Sequence, residues 1–260
     1  MNQRSKLNIA VCDDDIFVTE QLSEWIKEYV QKYTTEESTL YGSHSFCQPV
    51  IDILPDLSAV RCFGMSDFEK DLLYFASPAL LGRKQANLFS FSINCLTDYR
   101  KEIDRYKKEL APLGISVEYL YCKKQRVYLL VYRKDMMLHY FKQPAVKEFL
   151  IKQGYPETPD EEASLYETLC ILRKRIIQGA EFPHEIGFFF GYPAEDVFAF
   201  IREKGHNYKL VGDWKVYGDG KAALHTFRSY ARCRKRLLEQ ASAGADIVSL
   251  LTPARTGAAI

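Results

Sequence analysis

The stretch FPHEIGFFFGYPAEDVFAFIREKGHNYKLVGDWKVYGDG, residues 182–220, gathers most of the side chains in this chain that could do chemistry. His184 and Glu185 are adjacent, Glu195 and Asp196 follow Pro193-Ala194, and Trp214, Lys215, Tyr217 and Asp219 crowd the end. A His with a carboxylate could serve as a general base, and paired carboxylates could divide acid and base roles. A Lys and a Tyr beside an Asp could meet an anionic or planar ligand.

Spacing narrows these options. Neighbouring residues on a helix point about 100° apart, so His184 and Glu185 cannot both face one ligand. No H-E-x-x-H pattern and no second nearby His supports a metal site. His206 falls in a Gly-His-Asn helix stop, so no metal ligands are assigned. Glu195 and Asp196 lie in a first helical turn, where the dipole favours acids by about 0.3–1 kcal/mol without any catalytic role. In an alternating strand Trp214 and Val216 face one side, with Lys215 and Tyr217 on the other. The expected ligand-binding set is therefore His184, Glu185, Tyr192, Glu195, Asp196, Trp214, Lys215, Tyr217 and Asp219. Neither a catalytic residue nor a cofactor is assigned.

The elements that position these residues are legible in outline. Ser66 and Glu69 form a capping-box signature ahead of an apolar run that Gly82 can stop. NLFSFSI (87–93) alternates as a strand, and a charged helix follows, with Thr97 as its cap and Pro112-Leu113-Gly114 as its exit. Residues 115–132 form the clearest hairpin, turning at Cys122–Gln125. Helices are expected near 134–142, 144–153 and 160–178. Pro183 opens a short helical turn that Gly191 ends, Pro193 takes the first position of another helix, and Gly205 closes it. NYKLVGDWKVYGD gives one bent strand or a tight strand pair. A last helix runs from about Lys221 to Gln240, and the small-residue tail, 241–260, is expected to be disordered. The fold class is α+β (mixed α/β): a small sheet with a central hairpin packed by several helices.

Composition limits the function classes. Lys+Arg 35 against Asp+Glu 34 leaves a net charge of +1, so no global field draws the chain to nucleic acid. The four cations of RCRKR, 232–236, suit a helix C-terminus and make no broad basic face. No apolar run approaches 18 residues, so no membrane segment is expected. Seven scattered cysteines without a C-x-x-C fit reduced thiols, and the expected location is cytoplasmic. Phosphate loops, nucleophile elbows and kinase signatures are not seen.

The first 64 residues read differently. KLNIAVCDDD is a short strand running into Asp13–Asp15, and an amphipathic helix follows. With VIDILPDLSAV further on, this resembles a response-regulator receiver, which would use Asp13 and Asp14 for Mg²⁺ and Asp52 as phospho-acceptor. The segment departs from that pattern: the Asp52–Pro55 spacing is short, the chain between Asp14 and Asp52 is short, and a second half is missing. Residues 1–64 are thus expected to be a degenerate, incomplete βα fragment or extension, with the main domain at 65–240.

That domain resembles a bacterial family of unknown function, found mainly in anaerobes. The residues that carry the resemblance are SPALLGRKQANLFSF, FPHEIGFFFGYPAEDVFAFI, KGHNYKLVGDWKVYGD and YARCRKRL. The resemblance implies no activity. It does imply a link to iron or flavodoxin physiology, because members sit near such genes. Where the family carries a cysteine this chain has Ala76, so a thiol role there is absent.

The expected function is a non-enzymatic protein binding a small ligand or a protein partner through an aromatic-rimmed groove with Tyr192, Trp214 and Tyr217. One alternative is a hydrolase or transferase using His184 with Glu185 or Glu195, which requires those side chains to converge. Another is a signalling protein using Asp13, Asp14 and Asp52.

Overall fold

The computed structural model describes residues 65–93, 98–179 and 181–252. The receiver-like segment, with Asp13, Asp14 and Asp52, lies outside these residues.

Helix α1, Asp67–Leu80, begins at the expected capping box: Ser66 Oγ accepts from the Glu69 N–H at 3.2 Å, and the Glu69 carboxylate accepts from the Ser66 N–H at 2.8 Å. It ends in a Schellman motif. Gly82, at φ 65°, donates to the Ala79 carbonyl at 3.0 Å, and Arg83 donates to that of Pro78 at 2.8 Å. The Arg133 side chain donates to the same Ala79 carbonyl at 2.8 Å and to one further helix-end carbonyl, Leu80, at 2.5 Å. The short connection after α1 is therefore pinned from both directions, and it carries Lys84.

Strands β1 (Ala86–Ser92), β2 (Ser116–Lys123) and β3 (Arg126–Tyr132) form an antiparallel sheet in the order β1-β3-β2. Between β1 and β2 runs α2, Tyr99–Leu110, capped by Asp98, whose carboxylate accepts from the Lys101 N–H. The capping expected of Thr97 falls on its neighbour; Thr97 itself lies outside the described residues. The β2–β3 hairpin turns on two residues, Lys124 and Gln125, both left-handed at φ 46° and 61°.

The central strand β3 is buried on both faces, which explains its unbroken apolar run. Val127, Leu129 and Val131 pack with Phe68, Leu72, Phe89 and Tyr106. Tyr128, Leu130 and Tyr132 pack with Phe141, Leu150, Leu169 and Phe188. The second of these cores is built by α3 (Lys134–Phe141), α4 (Pro144–Lys152), α5 (Glu162–Gln178) and α6 (Ile186–Phe189), together with Val197 of α7 (Ala194–Glu203). The class is α+β, with helices on both sides of a small sheet.

Pro193 occupies the cap position, so α7 starts one residue later than expected. The 208–219 segment is a strand pair: β4, Leu210–Val211, against β5, Lys215–Val216. It packs through Val216 and Trp214 on Phe227 of the long helix α8, Gly220–Ser242. The tail differs from a disordered one within the described residues. Asp246 caps α9, Ile247–Leu251, and Ile247 is buried in the first core. Composition dominated by small residues hides this, because only Ile247, Leu250 and Leu251 supply the apolar face.

Candidate functional site

Four segments meet around one lysine. Lys84, in the α1–β1 connection, is 5% exposed. Its ammonium sits 4.9 Å from the centre of the Tyr192 ring, 5.5 Å from that of Phe190 and 5.5 Å from that of Tyr230. Phe190 and Tyr192 come from the α6–α7 turn and Tyr230 from α8. Asp213, in the β4–β5 turn, and Arg234, on α8, complete the surroundings as an ion pair at 2.5 Å.

Each wall is fixed by polar contacts. The Gln85 amide donates to the Phe188 and Phe189 carbonyls at 2.7 and 2.8 Å, satisfying the end of α6. Gly191, at φ 71°, leaves room for Gln85, whose side chain a Cβ would crowd. The Tyr140 hydroxyl donates to the Tyr192 carbonyl at 2.5 Å. The Tyr192 ring stacks on Trp214 at 5.0 Å, and Trp214 lies edge-on to Phe227 at 4.5 Å. Gly212 touches the Phe227 ring so closely that any Cβ would overlap it.

Asp196 is the main brace of this region. It is buried and accepts from Trp214 Nε1, the Tyr217 N–H and the Gly218 N–H, each at 2.7 Å. A carboxylate taking three N–H donors forms charge-assisted bonds, so the acid expected to complement a helix dipole instead locks the turn after β5.

The Lys84 ammonium makes no hydrogen bond or ion pair with any described residue, while its backbone N–H donates to the Pro78 carbonyl at 3.1 Å. Burial pulls its pKa down to about 8; the Asp213 carboxylate opposes this and the Arg234 guanidinium adds to it. Burial also raises the Tyr192 and Tyr230 hydroxyls, so both stay protonated and available as donors. Arg83, next in sequence, and Arg232 and Arg236 on α8 are exposed. With Arg234 they all act on the buried Cys233, whose thiol burial nonetheless holds up. Of these arginines only Arg234 acts on Lys84, and it does so as the partner of Asp213.

The remaining sequence-expected residues fall into separate places. Glu185 is buried and accepts from Arg175 Nε at 2.5 Å and the Tyr155 hydroxyl at 3.2 Å. Arg175 also holds the Gln153 carbonyl and side chain, which ties the end of α5 to the turn after α4. His184 is exposed, its ring 5.0 Å from that of Phe200, and no hydrogen bond joins it to Glu185 or Glu195. Glu195 is exposed beside Gly218. Lys215 is buried, donates to the Gly205 carbonyl at 2.6 Å and lies over the Tyr208 ring. The Tyr217 hydroxyl is buried without a hydrogen-bond partner among the described residues, and burial first of all pushes its pKa up to about 12. Asp219 caps α8 through the Lys221 and Ala222 N–H groups.

Of that set, Tyr192 and Trp214 belong to the walls around Lys84, and Asp196 supports them. Lys84, Phe190, Tyr230, Asp213 and Arg234 were not among the expected residues. The available signal was slight: a Lys in GRKQANLFSF, directly ahead of a buried strand. Among the described residues no three His, Cys, Asp or Glu side chains converge as metal ligands, and no helix is long and apolar enough to cross a membrane.

A family model described as "Protein of unknown function (DUF3793)" matches residues 72–251, and the chain belongs to that family. The match covers Lys84 and every residue placed around it. No curated protein and no solved structure matches the chain.

Proposed function

We propose that this member of the DUF3793 family is a non-enzymatic binding protein that takes a small organic anion at Lys84. The observation that carries this reading is the buried Lys84 ammonium, ringed by Phe190, Tyr192 and Tyr230 and without a hydrogen-bond acceptor. Burying an unpaired charge costs several kcal/mol, of which contacts with ring faces return about 0.5–2. An arriving carboxylate or phosphate would supply the missing acceptor. The Arg234 guanidinium, paired with Asp213, stands beside the amine, and the rings favour a ligand with an apolar or aromatic body.

Phe190 and Tyr192 are half-buried, so the α6–α7 turn is the wall that reaches solvent and the side from which a ligand would enter. Free Cys122, Cys170 and Cys233 suit the cytoplasmic setting that this reading includes. The link to iron or flavodoxin physiology rests on the family resemblance alone. The hydrolase or transferase alternative lacks an assembled pair, because Glu185 is committed to Arg175 while His184 faces Phe200.

Calorimetric titration of the full chain with glycolate, benzoate and phenyl phosphate tests the reading. Binding of at least one, weakened on the order of tenfold or more in Lys84→Met, is expected. Equal binding to both proteins, or none to either, would contradict it.

A further inference from the structure

We infer that the Lys84 amine captures its ligand covalently, as a reversible imine with a small anionic aldehyde or ketone such as a 2-oxo acid. This rests on the reading of Lys84 as the ligand anchor and specifies what the ligand must carry.

The geometry sets Lys84 apart from every ion-paired lysine described here. Lys70, Lys101, Lys107, Lys134, Lys147, Lys152 and Lys235 each hold a carboxylate. Lys84 holds none and faces three rings beside the Arg234 guanidinium. Desolvation favours the neutral amine, the form that adds to carbonyls, and outweighs the Asp213 carboxylate, whose pull the Arg234 guanidinium partly offsets. With its pKa near 8, about a quarter of Lys84 is neutral at pH 7.5, against about one in a thousand for an ordinary lysine.

The chemistry balances without a further reactant. The Nζ lone pair adds to the carbonyl carbon and the carbonyl oxygen takes a proton, giving a carbinolamine. Loss of water then leaves the C=N bond, and hydrolysis returns amine and carbonyl. The Tyr192 and Tyr230 rings both flank the ammonium, at 4.9 and 5.5 Å, and their hydroxyls keep their protons, so they are suited to donate to the departing oxygen. The anionic group of the ligand would take the Arg234 side, in competition with Asp213.

The test is reductive trapping of the full chain with glyoxylate and cyanoborohydride at pH 7.5, read lysine by lysine by peptide mass spectrometry. Glycolate, which has the same charge and no carbonyl, serves as competitor. Acetic anhydride, a general amine reagent, reports whether glycolate shields Lys84. The expected result is labelling of Lys84 on the order of tenfold faster than of exposed Lys101, Lys152 and Lys235, and slowed by glycolate. If glycolate shields Lys84 from acetic anhydride yet glyoxylate labels it no faster than the exposed lysines, the imine is wrong and anion binding stands. If glycolate gives no shielding and glyoxylate no preference, both fail. Lys84→Arg, which keeps the charge, must abolish the fast labelling; its persistence at another residue would overturn the assignment.

Discussion

The Lys84 ammonium lies 4.9 Å from the centre of the Tyr192 ring, and among the described residues no carboxylate or carbonyl lies within hydrogen-bond or ion-pair distance of it. The two side chains come from segments more than a hundred residues apart, joined by Gln85, which sits next to Lys84 and bonds the turn leading to Tyr192. Packing of this α+β core does not need a buried cation here. Its presence, with rings on three sides, is the feature from which the proposed function follows.

The charge on Lys84 should register in stability. Its pKa falls from 10.5 in the unfolded chain to about 8 in the fold. Between those values the unfolded chain holds the extra proton, so wild type gains stability as pH rises through that window. Below pH 8 the burial penalty is fully present, on the order of 3 kcal/mol. The charged and titratable groups facing Lys84 are Asp213, Arg234, Tyr230 and Tyr192, and Lys84→Met leaves them all in place. Urea unfolding at pH 7 and pH 9.5 should show wild type gaining on Lys84→Met at the higher pH. A constant difference would mean that the amine titrates normally.

Asp196 should matter far more than its neighbour. Removing its carboxylate leaves the Trp214 indole N–H and two backbone N–H groups without an acceptor. Asp196→Ala is expected to cost about 2–4 kcal/mol and to red-shift Trp214 fluorescence, whereas Glu195→Ala should stay within about 0.5 kcal/mol. Equal effects in chemical denaturation would mean that Asp196 does not brace the turn.

Much of this was legible in the sequence, because the deciding signals were local. The Ser66–Glu69 box, the apolar run of β3 and the glycines at 82, 114 and 191 fix elements through nearest-neighbour rules. The acids at 195 and 196 show where that stops. Both satisfy the dipole, yet only Asp196 meets Trp214, and the turn that brings Trp214 there is set by tertiary packing. Lys84 was illegible for the same reason: its ring partners are 106, 108 and 146 residues away (190 − 84, 192 − 84 and 230 − 84). Tail residues Ile247, Leu250 and Leu251 were masked by the small residues around them.

Glu185 and His184 should separate as structural and peripheral. Glu185→Ala strands the Arg175 guanidinium beside Tyr155 and is expected to cost about 3 kcal/mol or more. His184→Ala should cost no more than about 1 kcal/mol, the worth of one ring-edge contact. Thermal and urea unfolding of the two variants check this, and the reverse order would contradict it.

Asp71, on α1, gives a pH signature of the opposite sign. Burial raises its carboxyl from 3.8 to about 6, against the pull of Arg126. Between those values the folded state holds the extra proton, so this group's contribution to stability falls as pH rises from about 4 to about 6. Asp71→Asn should therefore be more stable than wild type at pH 7, by about 1–2 kcal/mol after solvent screening, and no more stable near pH 3.5. Urea midpoints at the two pH values decide it; a benefit that persists at the lower pH would point to another cause.

The most direct measurement is an NMR titration of the chain carrying ¹³Cε-labelled lysine, with Lys84→Met for assignment and glycolate as the added anion. The expected result is one ring-shifted resonance, absent from the variant, that titrates near pH 8 and moves on adding glycolate while exposed lysines stay still. A Lys84 resonance that titrates with the exposed lysines and ignores the anion would contradict the site, and with it the proposed function.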